Sequence, residues 1–187
     1  MSRFIFTPTA ISGVYIIEPK PIKDSRGYYE RYFCVEDFKE IGLNKPIVQI
    51  NHSKTLVKGC IRGFHYQNPP YAEVKIIRCI KGAIFDVALD LRKNSPTFLQ
   101  YVSVELNEEN NKYLYIPKGC AHGFQTLKEN TELIYIVSEF YNTEADSVIN
   151  PFDESVSMKW PLELAEISQK DKEAPSIKDS KFEGLIL

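Results

Sequence analysis

The chain has 187 residues and a formal net charge of −2, with acidic and basic residues mixed along it. That mixture excludes the basic surplus of a DNA- or RNA-binding protein, while leaving room for a local basic pocket that takes phosphates. With 43% hydrophobic and 26% charged residues the chain can bury a core and is not disordered. Nowhere is there an apolar run long enough to span a membrane, and MSRFIFTPTAISG at the N-terminus lacks one of signal-peptide length. Cys34, Cys60, Cys79 and Cys120 stand singly, without a C-x-x-C pair, as expected of free thiols in the cytoplasm.

In chain order, GVYIIE at 13–18 reads as a first strand, closed by Pro19 and Pro21. Asp24-Ser25-Arg26-Gly27 is a turn. The aromatic run Tyr28, Tyr29, Tyr32 and Phe33 places rings on both faces of any strand, which predicts burial on two sides or against another subunit. Val35 to Ile41 is a short helix stopped by Gly42. In PIVQIN at 46–51, Val48 and Ile50 face one way and Gln49 and Asn51 the other, so two amides line either a polar pocket or solvent. VKIIRCI, Lys81-Gly82 and AIFDVALDL read as strand, turn and strand, with Phe85, Val87, Leu89 and Leu91 opposite Asp86 and Asp90. RKNSPT is a loop; YVSVELN, LYIP, HGFQTL and TELIYIVSEFY continue the series of short strands. Such spacing argues an all-β sandwich or barrel in a single domain spanning 1–187, with an irregular polar extension after Tyr141 anchored at Trp160-Pro161.

Chemistry-bearing residues concentrate in CIRGFHYQNPPYAEVKIIRCIKG at 60–82, which holds Arg62, His65, Gln67 and Lys75. The only histidines are His52, His65 and His122. Three could hold a metal, but Gly63 and Gln67 occupy the places where a G-x5-H-x-H ligand set would continue, so no metal is expected. An imidazole, a lysine and a tyrosine are a kit for moving protons on carbon beside a carbonyl. Simple strand alternation puts Arg62 and His65 on opposite faces, so their joint use requires a bulge. Tyr135 falls with Leu133 and Val137 by parity, on a face open to the interior, where it reads locally either as a core tyrosine with its hydroxyl satisfied or as a proton donor. Read locally, Asp171 in SQKD is a solvated tail residue and Arg26 a turn residue.

RGFHYQNPPYAEVK, FDVALDLRKNSPT, LYIPKGCAHGF and the late SQKD resemble the dTDP-4-dehydrorhamnose 3,5-epimerases, in order and spacing, from about Gly13 to Pro175. The resemblance implies a cupin-type jelly-roll barrel with short helices, a homodimer, a nucleotide-diphospho-4-keto-6-deoxy sugar as substrate, and neither metal nor redox cofactor. It implies His65 as base, Asp171 as the carboxylate that orients it, Tyr135 as acid on the opposite ring face, and Lys75 at the enolate oxygen. It further implies substrate contacts from Arg26, Gln49, Asn51, Arg62, His122 and Lys170, with Arg26 reaching into the partner's site. One departure is local: Glu30 follows the tyrosines one place early, and Arg31 takes the usual acid's place. A 3-mono-epimerase, a keto-isomerase and a non-catalytic sugar-nucleotide binder remain the alternative readings.

Overall fold

The computed structural model describes residues 2–187. Its strands, in chain order, begin with β1 (Phe4–Pro8), β2 (Tyr15–Pro19), β3 (Ile22–Asp24), β4 (Gly27–Tyr29) and β5 (Gln49–Thr55). They continue with β6 (Cys60–Gln67), β7 (Lys75–Lys81), β8 (Ala83–Asp90), β9 (Tyr101–Asn107) and β10 (Tyr113–Ile116). The last are β11 (Cys120–Thr126), β12 (Thr131–Val137), β13 (Asp146–Val148) and β14 (Glu166–Ile167). Three helical turns accompany them: α1 (Val35–Phe38), α2 (Gln169–Lys172) and α3 (Ile177–Ser180).

One sheet runs β1-β2-β10-β7-β12-β5 and the other β13-β6-β11-β8-β9, with β14 added in parallel beside β6. The other strand pairings are antiparallel, and an isolated parallel bridge joins Arg92 to Leu185. The jelly-roll barrel expected from the sequence is the result, and period-2 alternation explains how its inner faces fill. Ile77, Cys79, Leu114 and Leu133 of the first sheet meet Ile84, Ala88, Leu106 and Phe124 of the second between the layers. On the outer face of the first sheet, Phe4, Ile17, Ile76 and Tyr113 are covered by α1 through Phe38. The outer face of the second carries the C-terminal segment, where Trp160 stacks on Phe64 with ring centroids 5.7 Å apart. Ile177 and Leu185 complete that cover.

Several expectations change in detail. The first strand pair includes β1, which the sequence reading did not single out, and β2 begins only at Tyr15 because Gly13 turns the chain at φ +84°. The strand expected at 46–51 starts at Gln49 and runs on to Thr55 as an edge. In the aromatic run, Tyr32 and Phe33 pack inward, but Tyr28 and Tyr29 stand exposed on the β3–β4 hairpin. Asp86 and Asp90 are as buried as the apolar face opposite them, because β8 is covered on both sides. The irregular extension contains β13, β14, α2 and α3. The helix expected from Val35 to Ile41 is present as α1 followed by a 3₁₀ turn, ended by Gly42 at φ +89°. All four cysteines are free thiols. No helix among the described residues is long and apolar enough to cross a membrane.

Candidate active site

A cavity of about 250 Å³ opens at one end of the barrel. Its walls include Gln49 and Asn51 from β5, Tyr135 from β12, His65 from β6, and Lys75 with Glu73 at the start of β7. The two sheets therefore contribute opposite walls: Tyr135 and Lys75 belong to the first, His65 to the second.

The bulge that Arg62 and His65 require is present. His65 pairs with His122 and Arg62 with Phe124, so Gly63 and Phe64 on β6 oppose the single Gly123 on β11. One extra residue resets the alternation and returns Arg62 to the side of the sheet that His65 occupies. Gly63 has φ +116°, and a Cβ there would lie 2.6 Å from both Gly123 Cα and His122 O, so only glycine fits.

The bulge also recruits the tail. Ser168 caps α2, its hydroxyl accepting from the Asp171 N–H at 3.1 Å, and this turn aims the Asp171 carboxylate at β6. Asp171 is 2% exposed; its Oδ2 accepts from the Gly63 N–H at 3.1 Å and its Oδ1 lies 3.0 Å from His65 Nε2. Burial alone would raise its carboxyl, but the His65 imidazole, helped by the Gly63 N–H and the Ser168 hydroxyl, holds it below the ordinary carboxylate value. The carboxylate thus stays ionised at neutral pH.

Across the cavity, burial pushes the Tyr135 phenol up to about 12, against a 3.2 Å hydrogen bond with the Ser53 hydroxyl. The phenol keeps its proton at neutral pH. Lys75 Nζ donates to the His65 carbonyl at 3.1 Å and lies 3.2 Å from Glu73 Oε1. Gln49 donates to Asn51 across 2.9 Å, which sets both amides on the pocket side of β5.

His122 is 5% exposed and lies behind the cavity lining, its Nε2 2.6 Å from Asp86 Oδ1 and its ring edge-on to Tyr135 at 5.9 Å. Burial raises the Asp86 carboxyl while His122 opposes the rise. At the mouth, Lys170 pairs with Asp146, which raises the lysine and also accepts from the Tyr141 hydroxyl at 2.9 Å. Arg62 is exposed and outside the cavity lining, yet its charge acts on Tyr135. Arg26 is set apart: it tips the β3–β4 hairpin, with its side chain 88% exposed and paired to Asp24 at 2.6 Å. Glu30 turns inward to the buried Arg78, and Arg31 reaches Asp37 at 3.5 Å. His52 faces outward to Glu132 at 3.2 Å.

So His65, Asp171, Tyr135, Lys75, Gln49, Asn51 and Lys170 gather at one cavity or brace it, His122 backs it, and Arg26 does not reach it within its own chain. Glu73, Asp86, Tyr141 and Asp146 belong to this arrangement and were not singled out from the sequence. An aspartate amid apolar neighbours, as Asp86 is in AIFDVAL, was a usable signal, since a buried carboxylate demands a partner. Among the described residues no cluster of three or more His, Cys, Asp or Glu side chains is placed to hold a metal ion. An imidazole paired with a buried carboxylate and a protonated phenol on walls from different sheets, with an ammonium beside them, can remove a proton from carbon next to a ketone and return one from the other side.

Comparison with known proteins bears on the family and the fold. The family model described as dTDP-4-dehydrorhamnose 3,5-epimerase matches residues 8–179. A dTDP-4-dehydrorhamnose 3,5-epimerase of Salmonella typhimurium is 43% identical over 173 residues, covering 91% of this chain and 94% of its own. The dTDP-6-deoxy-D-glucose-3,5-epimerase of Legionella pneumophila, solved in complex with dTDP-4-keto-L-rhamnose, superposes with a TM-score of 0.91 at 34% identity over 98% and 99% of the two chains. A 3′-monoepimerase of Streptomyces bikiniensis, in complex with dTDP-quinovose, has a TM-score of 0.85 at 29% identity over 93% and 88%.

Proposed function

Because the chain belongs to the dTDP-4-dehydrorhamnose 3,5-epimerase family of isomerases, we propose that its cavity converts dTDP-4-dehydro-6-deoxy-D-glucose to dTDP-4-dehydro-L-rhamnose by inverting carbons 3 and 5. The observation that carries this reading is the placement of His65 and Tyr135 on walls supplied by different sheets, with Lys75 at the same cavity.

The steps follow from the groups present. His65 Nε2 faces Asp171, so the ring proton belongs on that nitrogen and Nδ1 carries the basic lone pair. His65 takes the proton from a carbon flanking the ketone, and the C–H electron pair moves into an enolate whose oxygen gains charge. Lys75 supplies a donor to that oxygen, a contribution of about 3 kcal/mol for a well-placed one. Tyr135 then delivers its proton to the opposite face of the same carbon, and the ketone re-forms with that centre inverted. Imidazolium and phenolate exchange protons with solvent before the second centre reacts. No electron is gained or lost over the cycle.

Gln49 and Asn51 contact the sugar in this reading, His122 supports Tyr135 from behind the lining, and Arg62 and Lys170 serve the diphosphate end. The enzyme works as a cytoplasmic homodimer, in which Arg26 crosses to the partner's cavity. The exposed hairpin bearing Arg26, Tyr28 and Tyr29 supports that exchange, since those side chains meet little of their own chain. A second reading, inversion at carbon 3 alone, is favoured by the likeness to the Streptomyces bikiniensis enzyme. Incubation with the 4-keto sugar nucleotide in deuterated water, followed by proton NMR, separates the readings. Deuterium at carbons 3 and 5 is expected; deuterium at carbon 3 alone supports the mono-epimerase, and none at either supports a binding protein.

A further inference from the structure

Glu73 lines the same cavity, two residues before Lys75, and is one of the site residues that the pattern of the sequence did not single out. Its side chain is 10% exposed and that of Lys75 12%, so both charged groups have lost most of their water. An ammonium has three N–H donors. In Lys75 one is spent on the His65 carbonyl at 3.1 Å, and Glu73 Oε1 lies 3.2 Å from the same nitrogen as its ion-pair partner. One hydrogen bond and one ion pair hold the position of the –NH₃⁺ group and leave donor capacity facing the cavity.

We infer that Glu73 is a positioning residue: by holding the Lys75 ammonium against the His65 carbonyl, it aims the remaining N–H at the substrate's ketone oxygen. The inference rests on the proposed function, which places that oxygen at Lys75. Preorganisation of this kind acts on the transition state, where charge gathers on oxygen, more than on substrate binding. The site makes the arrangement self-consistent, since burial raises the Glu73 carboxyl and the Lys75 ammonium opposes that rise. The carbonyl that Lys75 grips belongs to His65 itself, so one ammonium ties the proposed base to the proposed oxyanion donor.

Two substitutions separate positioning from a merely structural role. Glu73→Ala removes the acceptor, and kcat is expected to fall about 10-fold or more while KM changes less than about 3-fold. Glu73→Gln keeps an amide oxygen in the same place and is expected to retain kcat within about 3-fold of the wild type. Crystal structures of both variants give a readout that needs no substrate: Lys75 Nζ stays on the His65 carbonyl in the Gln variant and leaves it or becomes multiply oriented in the Ala variant. Unchanged kcat in Glu73→Ala, an equal loss in both variants, or Lys75 fixed in both crystals would overturn the inference. The failure of the function itself looks different: wild-type protein would then incorporate no deuterium at all.

Discussion

Replacing Asp171 by Asn changes one buried atom and should cost most of the activity. The carboxylate makes two contacts, to the Gly63 N–H at 3.1 Å and to His65 Nε2 at 3.0 Å. An amide can satisfy only the first with its oxygen. Its NH₂ then faces Nε2 as a donor, which draws the ring proton to Nδ1 and removes the lone pair from the cavity side. Where an orienting carboxylate becomes an amide and the imidazole is left in the wrong tautomer, kcat falls about 10⁴-fold; a loss of about 10³ to 10⁴ is expected here, with KM nearly unchanged. The variant also loses a charge-assisted contact at a site 2% exposed, about 2 kcal/mol, or roughly 5 °C in Tm for a chain of this size.

The pH dependence has a definite sign. Because the folded-state carboxyl lies below its ordinary value, its stabilisation is complete above the ordinary carboxylate range and is lost as the pH falls through the lowered value. The Tm gap between wild type and Asp171→Asn should therefore be constant near neutrality and close in acid. Steady-state epimerisation followed by NMR, with melting curves at several pH values, checks both parts. An Asn variant with kcat within about 3-fold of the wild type would refute the tautomer argument.

Other outcomes follow from the same geometry. Gly63→Ala forces a Cβ to within 2.6 Å of Gly123 Cα and His122 O at φ +116°, so calorimetry should show a loss of about 3 kcal/mol, with activity falling as the bulge shifts. Asp90 is fully buried, and against that burial its bonds from Arg92, Ser95 and Thr97 bring it down to about 2. Asp90→Asn should cost about 2 kcal/mol at pH 7, measured by denaturant unfolding, and this difference should vanish as the pH drops from about 4 towards 2. Tyr135→Phe should still exchange the first proton with solvent but release little inverted product; NMR of product stereochemistry checks this, and normal inversion would remove Tyr135 as the acid.

How far the sequence discloses this molecule depends on which forces act locally. Alternation in YVSVELN is dictated by one buried face, so that strand is legible; TELIYIV puts Leu133 in one core cluster and Ile136 in another, so its apolar residues mark a strand without fixing the aim of Tyr135. Parity fails at Arg62 and His65, because a bulge adds one residue; the glycine between them was the available sign. It fails again at Asp86, which looks like the polar side of a half-exposed strand until both sides of β8 prove covered. Asp171 is the clearest limit. Its partner Gly63 lies 108 residues earlier, and no local pattern distinguishes a capped turn that docks on a strand from one that stays in solvent. Only the likeness of several long motifs to a known family pointed there. The same likeness could not show Glu73, whose meaning comes from its distance to Lys75.

Solvent exchange in the His65→Asn variant tests the central claim most directly. With a dTDP-4-keto-6-deoxy sugar in deuterated water, wild-type protein should label carbons 3 and 5, and the variant should label neither above the rate without enzyme. Wild-type labelling by the variant would contradict the assignment of the base, and with it the role of the facing walls.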